Sequence, residues 1–217
     1  MRSLTLPLLV ATAMLPAGPA EAVRPCRWVG GCLYASPAFR ITVIDRRSGR
    51  PLADVHALAE WHGYVGGRTD GPVMVTEATS RPDGLLTFPS WGPILGPPEG
   101  MVLNGDPVIT LVKGGYRPRI INNPFPVEAD ETDRVRAFRQ NGETFALEPF
   151  RGTPTELATE LVAFGMAGPR TEEQTAVFRT SYLNRLRRVR GELNALAPDR
   201  RVTDLLWHVE RRISSLE

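Results

Sequence analysis

The sequence predicts a mainly β protein that ends in helices, an α+β fold. Residues 39–150 contain short runs of alternating apolar and polar side chains, bounded by glycine, proline, serine or aspartate. Residues 151–217 instead carry apolar side chains at alternating steps of three and four. The first pattern is typical of half-buried strands and the second of amphipathic helices. We therefore expect a β-sandwich followed by an α-hairpin tail.

Alternation is clearest in the two segments that flank the turn at residues 47–51. In the segment after the turn, the residues predicted to face the core are Val55, Ala57, Ala59 and Trp61. The opposite face comprises His56, Leu58, Glu60 and His62. Further strands are expected near residues 72–78, 84–89, 107–113, 117–121 and 144–149. Glycine and proline are frequent at 63–71 and 92–105, which favours loops there.

The helical tail has recognisable start signals and apolar stripes. Thr153-Pro-Thr-Glu156 is a capping box with proline at the first helical position. The next helix carries its stripe at Tyr182, Leu186, Val189, Leu193 and Leu196. A third helix repeats that spacing at Val202, Leu206, Val209, Ile213 and Leu216. Two matching stripes joined by a short loop predict an antiparallel helix pair that packs together and covers one face of the sandwich.

The N-terminus has the pattern of an export signal. Arg2 precedes an apolar run from Leu4 to Leu15, and Ala20-Glu-Ala22 has the small-x-small form of a cleavage site. The run is too short to span a bilayer as a stable helix. We therefore expect a signal peptide at 1–22, no membrane-spanning segment after cleavage, and a mature protein that is periplasmic or secreted. Residues 23–38 are expected to form an irregular leader segment.

Two cysteines lie in that leader. Cys26 and Cys32 enclose five residues, among them Gly30 and Gly31, and an oxidising compartment favours a disulfide between them. Two independent thiols are the alternative, because disulfide geometry is narrow. A structural zinc site usually needs four nitrogen or sulfur ligands, so two cysteines alone do not indicate one. The formal net charge of +2 gives no reason to expect nucleic-acid binding.

Turn and strand motifs between 39 and 150 resemble the carboxypeptidase regulatory-like, or transthyretin-like, family of β-sandwich domains. The motifs that carry the resemblance are Val43 to Asp45, Ser48 to Leu52, Asp54 to Ala59, Asp83-Gly84 to Phe88, and Lys113 to Tyr116. The resemblance implies a prealbumin-like sandwich that serves as an accessory or binding module. Purine-degrading hydrolases of similar fold end in Tyr-Arg-Gly-Ser, whereas this chain ends in Ser-Ser-Leu-Glu.

One group of side chains has the composition of a metal site. His56, Glu60 and His62 would share a strand face, and imidazole and carboxylate suit a borderline transition metal. An ordinary polar sheet surface explains the same residues. Tyr64 and Trp91 fall in predicted loops and are candidate contact aromatics. No catalytic residue or cofactor is predicted, and no Gly-x-Ser-x-Gly nucleophile motif occurs.

These observations predict a non-enzymatic accessory or binding module of the cell envelope. It would contact a protein or a glycan through the loops at 63–71 and 92–105. The alternative is a metal-dependent or hydrolytic enzyme that uses the His56, Glu60 and His62 face.

Processing can be tested directly by intact mass spectrometry of protein recovered from the periplasm or the medium. We expect the chain to begin at Val23, because cleavage follows Ala22, and to weigh two hydrogens less than a reduced sample. An unprocessed N-terminus would contradict the export prediction. Two thiols that alkylate without reductant would contradict the disulfide.

Overall fold

The computed structural model describes residues 33–65, 68–95, 101–122, 138–168, 172–196 and 199–217. The strands in these ranges are β1 (Leu33–Ser36), β2 (Phe39–Asp45), β3 (His56–Val65), β4 (Arg68–Thr79), β5 (Leu85–Phe88), β6 (Trp91–Leu95), β7 (Met101–Val112), β8 (Arg119–Ile121) and β9 (Thr144–Leu147). The helices are α1 (Pro154–Met166), α2 (Glu172–Asn194) and α3 (Arg200–Ser214). The mainly β fold with C-terminal helices is therefore confirmed. The predicted signal peptide and the pair Cys26 and Cys32 lie outside the described residues.

The strands form three sheets. One has the order β5-β2-β9, a second has the order β4-β3-β7-β8, and β1 pairs with β6 in a small two-stranded sheet. The pair β2 and β9 is parallel, and the other strand pairs are antiparallel. Strand β3 is central in the four-stranded sheet, because β4 and β7 bond to its two edges.

The two larger sheets share one apolar core. Their inward side chains form a continuous cluster that includes Ile41 and Val43 of β2, Leu86 of β5 and Ile109 of β7. The core face predicted for β3 is confirmed, since Val55, Ala57, Ala59 and Trp61 are all buried. Alternation along β3 thus located this face correctly, because a strand directs successive side chains to opposite sides of its sheet.

Trp91 lies in the core and not in a loop, contrary to the prediction. It is part of β6, which pairs with β1, and its ring meets the ring of Trp61 edge to face with centroids 5.2 Å apart. The leader predicted to be irregular therefore contains a strand, β1. Packing of a large aromatic side chain on Trp61 accounts for the burial of Trp91, since aromatic rings remove much apolar surface from water.

The predicted loops at 63–71 and 92–105 are strand over much of their length. Tyr64 pairs with Thr69 on one side and with Val102 on the other, so three strands continue side by side into this region. The register shifts near His62 in both pairings. Such bulges admit extra residues without ending the ladder. Residues 66–67 and 96–100 of the predicted loops lie outside the described residues.

The helices begin where the sequence predicts and build a second core. Thr153 and Glu156 cap α1 reciprocally, and the Asp199 carboxylate accepts from the Val202 N–H at the start of α3. The apolar stripes of all three helices meet in one cluster that also contains Val112 of β7. The predicted packing of the tail against itself and against the sheet is confirmed. None of the described helices is long and apolar enough to cross a membrane.

Asp45 joins two turns that lie far apart in the sequence. Its Oδ1 accepts hydrogen bonds from the N–H groups of Arg47 and Ser48 at 2.9 and 2.6 Å, and its Oδ2 accepts from the Tyr116 hydroxyl at 2.8 Å. The Ser48 N–H, followed by the Tyr116 hydroxyl, lowers the pKa of Asp45 to about 2. The charged carboxylate therefore holds the turn after β2 against the turn after β7.

Removal of the Tyr116 hydroxyl should raise the pKa of Asp45. The folded-state pKa lies below the ordinary value, so this carboxylate stabilises the fold above about pH 4, and the contribution disappears as the pH falls toward 2. In Tyr116→Phe we expect a pKa between about 2 and 3.8, measured by NMR titration of the Asp45 carboxyl carbon. Asp83 serves as the internal reference because its hydrogen bonds come from Arg81 and Leu85. Equal Asp45 titrations in the two proteins would show that Tyr116 does not stabilise the carboxylate.

Candidate functional site

The face of β3 that carries His56, Glu60 and Leu58 is covered by α2. The side chains of His56 and Glu60 are only 12% and 13% exposed, and Leu58 is buried. The expectation of a polar surface open to solvent was therefore wrong. Leu58 and the neighbouring Val112 give this face apolar area, and a helix that packs on it removes that area from water.

Under the helix, the polar side chains of His56 and Glu60 each have a partner of their own. His56 Nε2 lies 3.2 Å from a carboxylate oxygen of Glu77 on β4. Asn184 of α2 donates to the same carboxylate at 3.4 Å. Glu60 lies 3.7 Å from the guanidinium of Arg185 on α2.

Arg185 is the most deeply placed charge of this interface. Its side chain is 3% exposed, and its guanidinium carbon lies 5.1 Å from the centre of the Tyr182 ring. Burial lowers the pKa of Arg185, while the Glu60 carboxylate acts in the opposite direction. Burial also acts to raise the pKa of Glu77, but hydrogen bonds with His56, Ser181 and Asn184 outweigh it and lower that pKa. The Glu77 carboxylate is thus held charged by donors from β3 and α2.

The structure separates the residues that the sequence grouped as metal ligands. His56 is engaged by Glu77 and Glu60 by Arg185, while His62 lies at the register shift, opposite Pro72 and Asn104. Within the described ranges, no group of three or more histidine, cysteine, aspartate or glutamate side chains is arranged to hold a metal ion. A fixed guanidinium beside Glu60 also opposes a second cation there.

The structure changes which aromatic side chains are candidates for contact with a partner. Trp91 is buried, and of Tyr64 only the backbone is described, in β3 between Thr69 and Val102. Trp207 on α3 was not predicted; it is 53% exposed, and the guanidinium of Arg211 lies 5.4 Å from its ring centre. Its position off the apolar stripe, directly after Leu206, is the signal that identifies it from the sequence.

Comparisons with known proteins do not identify a family. No protein-family model matches the chain, and no curated protein matches it. A hydroxyquinol 1,2-dioxygenase from Pseudomonas putida is similar in structure at 11% identity and a TM-score of 0.33, covering 65% of this chain and 67% of the dioxygenase. A 9R-lipoxygenase from Cyanothece is similar at 12% identity and a TM-score of 0.31, covering 81% of this chain and 28% of the lipoxygenase. These scores are too low to transfer a fold or an activity.

Arg185 should be far more important for stability than another arginine on the same helix. Arg185→Ala leaves Glu60 partly buried without its counter-charge, and we expect a loss of about 3–5 kcal/mol in the free energy of unfolding. Arg179→Ala is the matched control, because Arg179 is exposed on α2 and should change stability by less than about 0.5 kcal/mol. Urea unfolding measures both. Similar losses in the two variants would show that Arg185 does not hold α2 on the sheet.

Proposed function

We propose that this protein is an exported, non-enzymatic accessory or binding module of the cell envelope, built on a transthyretin-like β-sandwich. It contacts a protein or a glycan through the segments 63–71 and 92–105. The periplasm or the extracellular medium is its compartment, as the sequence of residues 1–22 suggests.

The observation that carries the proposal is the way β3 joins the two segments. Val65 pairs with Arg68 on β4 and with Met101 on β7. Residues from both segments therefore lie side by side at one end of the four-stranded sheet. Binding surfaces are commonly built from segments that a rigid framework brings together, and the ladder of β3, β4 and β7 supplies such a framework.

The arrangement beneath α2 favours binding over catalysis. The imidazole and carboxylates on this face have the chemistry that an acid, a base or a metal ligand needs. In the packed interface, however, His56 contacts Glu77, Asn184 donates to Glu77, and Glu60 pairs with Arg185. A substrate group cannot approach them while α2 lies on the sheet. The metal-dependent or hydrolytic enzyme remains the second candidate function, because His56 and Glu60 share a strand face.

The binding proposal predicts that Tyr64 matters more than the exposed Trp207. Immobilised mature protein is incubated separately with solubilised envelope proteins and with purified cell-wall glycan, and the bound material is quantified. We expect Tyr64→Ala to weaken retention of one of the two about tenfold, as loss of an interface aromatic does. Trp207→Ala, on α3, should retain it as wild type does.

Loss of binding in Trp207→Ala alone would move the contact surface to α3 and contradict the role of the sheet end. Metal analysis of the purified protein addresses the second candidate. One equivalent of a transition metal that is absent from Glu60→Gln would favour the enzyme.

A further inference from the structure

A small crevice lies between α2 and the four-stranded sheet, beside the guanidinium of Arg185. It has a volume of about 10 Å³. The side chains around it are mostly apolar, with Glu60, Ser181 and Arg185 as the polar members. The apolar members are Leu58, Pro72, Val75, Phe178 and Tyr182.

Arg185 has a donor that the protein leaves unused at this crevice. Its Nε is fully buried and has no hydrogen-bond acceptor among the described residues. The nearest counter-charge, Glu60, is 3.7 Å from a terminal nitrogen of the same guanidinium, which is too long for a hydrogen bond. A buried donor without an acceptor costs about 1–3 kcal/mol, so an additional acceptor at this position stabilises the interface considerably.

We propose that the crevice is a binding site for one water molecule that accepts from Arg185 Nε and donates to Glu60. The volume fits, because a site of about 10–15 Å³ holds one water. The chemistry fits as well, since a buried water needs two to four polar partners and Arg185, Glu60 and Ser181 supply a donor, an acceptor and a hydroxyl.

The charges around the crevice select a neutral occupant. An anion that accepted from Arg185 would meet the carboxylate of Glu60 in the same crevice, and a cation that approached Glu60 would meet the guanidinium. Water donates and accepts at once and adds no charge. The water thereby links Arg185 of α2 to Glu60 of β3 by two hydrogen bonds. It spans the distance between these side chains, which is too long for a direct hydrogen bond.

The backbone of α2 is consistent with a crevice at this place. Phe178 has non-helical dihedral angles, with φ of −106° and ψ of 15°, so the helix bends where its side chain lines the crevice. Pro72 and Val75 of β4 line the same crevice as Phe178. A straight, tightly packed helix would have left no room for the water.

Two measurements test the site in the full mature chain. In a high-resolution crystal structure we expect a well-ordered water within hydrogen-bond distance of both Arg185 Nε and Glu60. The second measurement is a mutant cycle with Val75→Ile, which adds one methylene to the crevice wall, alone and in an Arg185→Met, Glu60→Leu background. Alone, Val75→Ile should displace the water and increase the unfolding equilibrium constant at least about fivefold, because Nε loses its acceptor.

In the Arg185→Met, Glu60→Leu background both polar partners of the water are gone, so the same methylene should leave the unfolding equilibrium constant unchanged or lower it. The difference between the two backgrounds separates loss of a water from simple overpacking, which would destabilise both backgrounds alike. A dry crevice in the crystal structure, or equal effects of Val75→Ile in the two backgrounds, would overturn the proposal.

Discussion

The burial of β3 on both faces between Ala57 and Trp61 is the constraint on which the rest of this structure depends. One face, with Ala57 and Trp61, closes the core against the β5-β2-β9 sheet. The other face, with Leu58, is closed by α2. A strand buried on both sides favours partners for its polar groups, since each group left unpaired costs free energy comparable to a lost hydrogen bond. The polar residues of β3 therefore determine which side chains α2 must present.

That requirement explains the composition of α2. A helix that covers an apolar face usually presents an apolar stripe, and α2 does so along Leu186, Val189 and Leu193, which pack into the helical core. Towards β3 and β4 it presents Asn184 and Arg185, which bond to Glu77 and pair with Glu60. A buried ion pair adds little net stability over apolar residues of the same volume, but it makes other positions of the helix unfavourable. We infer that these contacts select the position of α2 more than they strengthen its packing.

The sequence predicts the local features of this fold well and its non-local features poorly. The faces of β3 follow from alternation, and the start of α1 follows from the capping box at Thr153, because both patterns depend on neighbours along the chain. The cover over His56 and Glu60 depends on Arg185, which lies more than a hundred residues further along the chain. No local pattern records that contact. The same holds for Trp91, whose burial depends on β1 and on Trp61.

The candidate site shows the same limit from the functional side. His56, Glu60 and His62 indicate a metal site only while their face is assumed to be open, and the assumption fails because the tail returns to the sheet. Charged side chains on one face of a strand can bind a metal ion, but they can equally pair with the side chains of a helix that packs on that face. The end of the sheet at Val65 differs from the face under α2. There β3, β4 and β7 run side by side, and their backbone pairing brings two distant segments together. The polar residues under α2, by contrast, are engaged with one another in a packed interface. For that reason we propose the sheet end, and not the histidine face, as the contact surface of this protein.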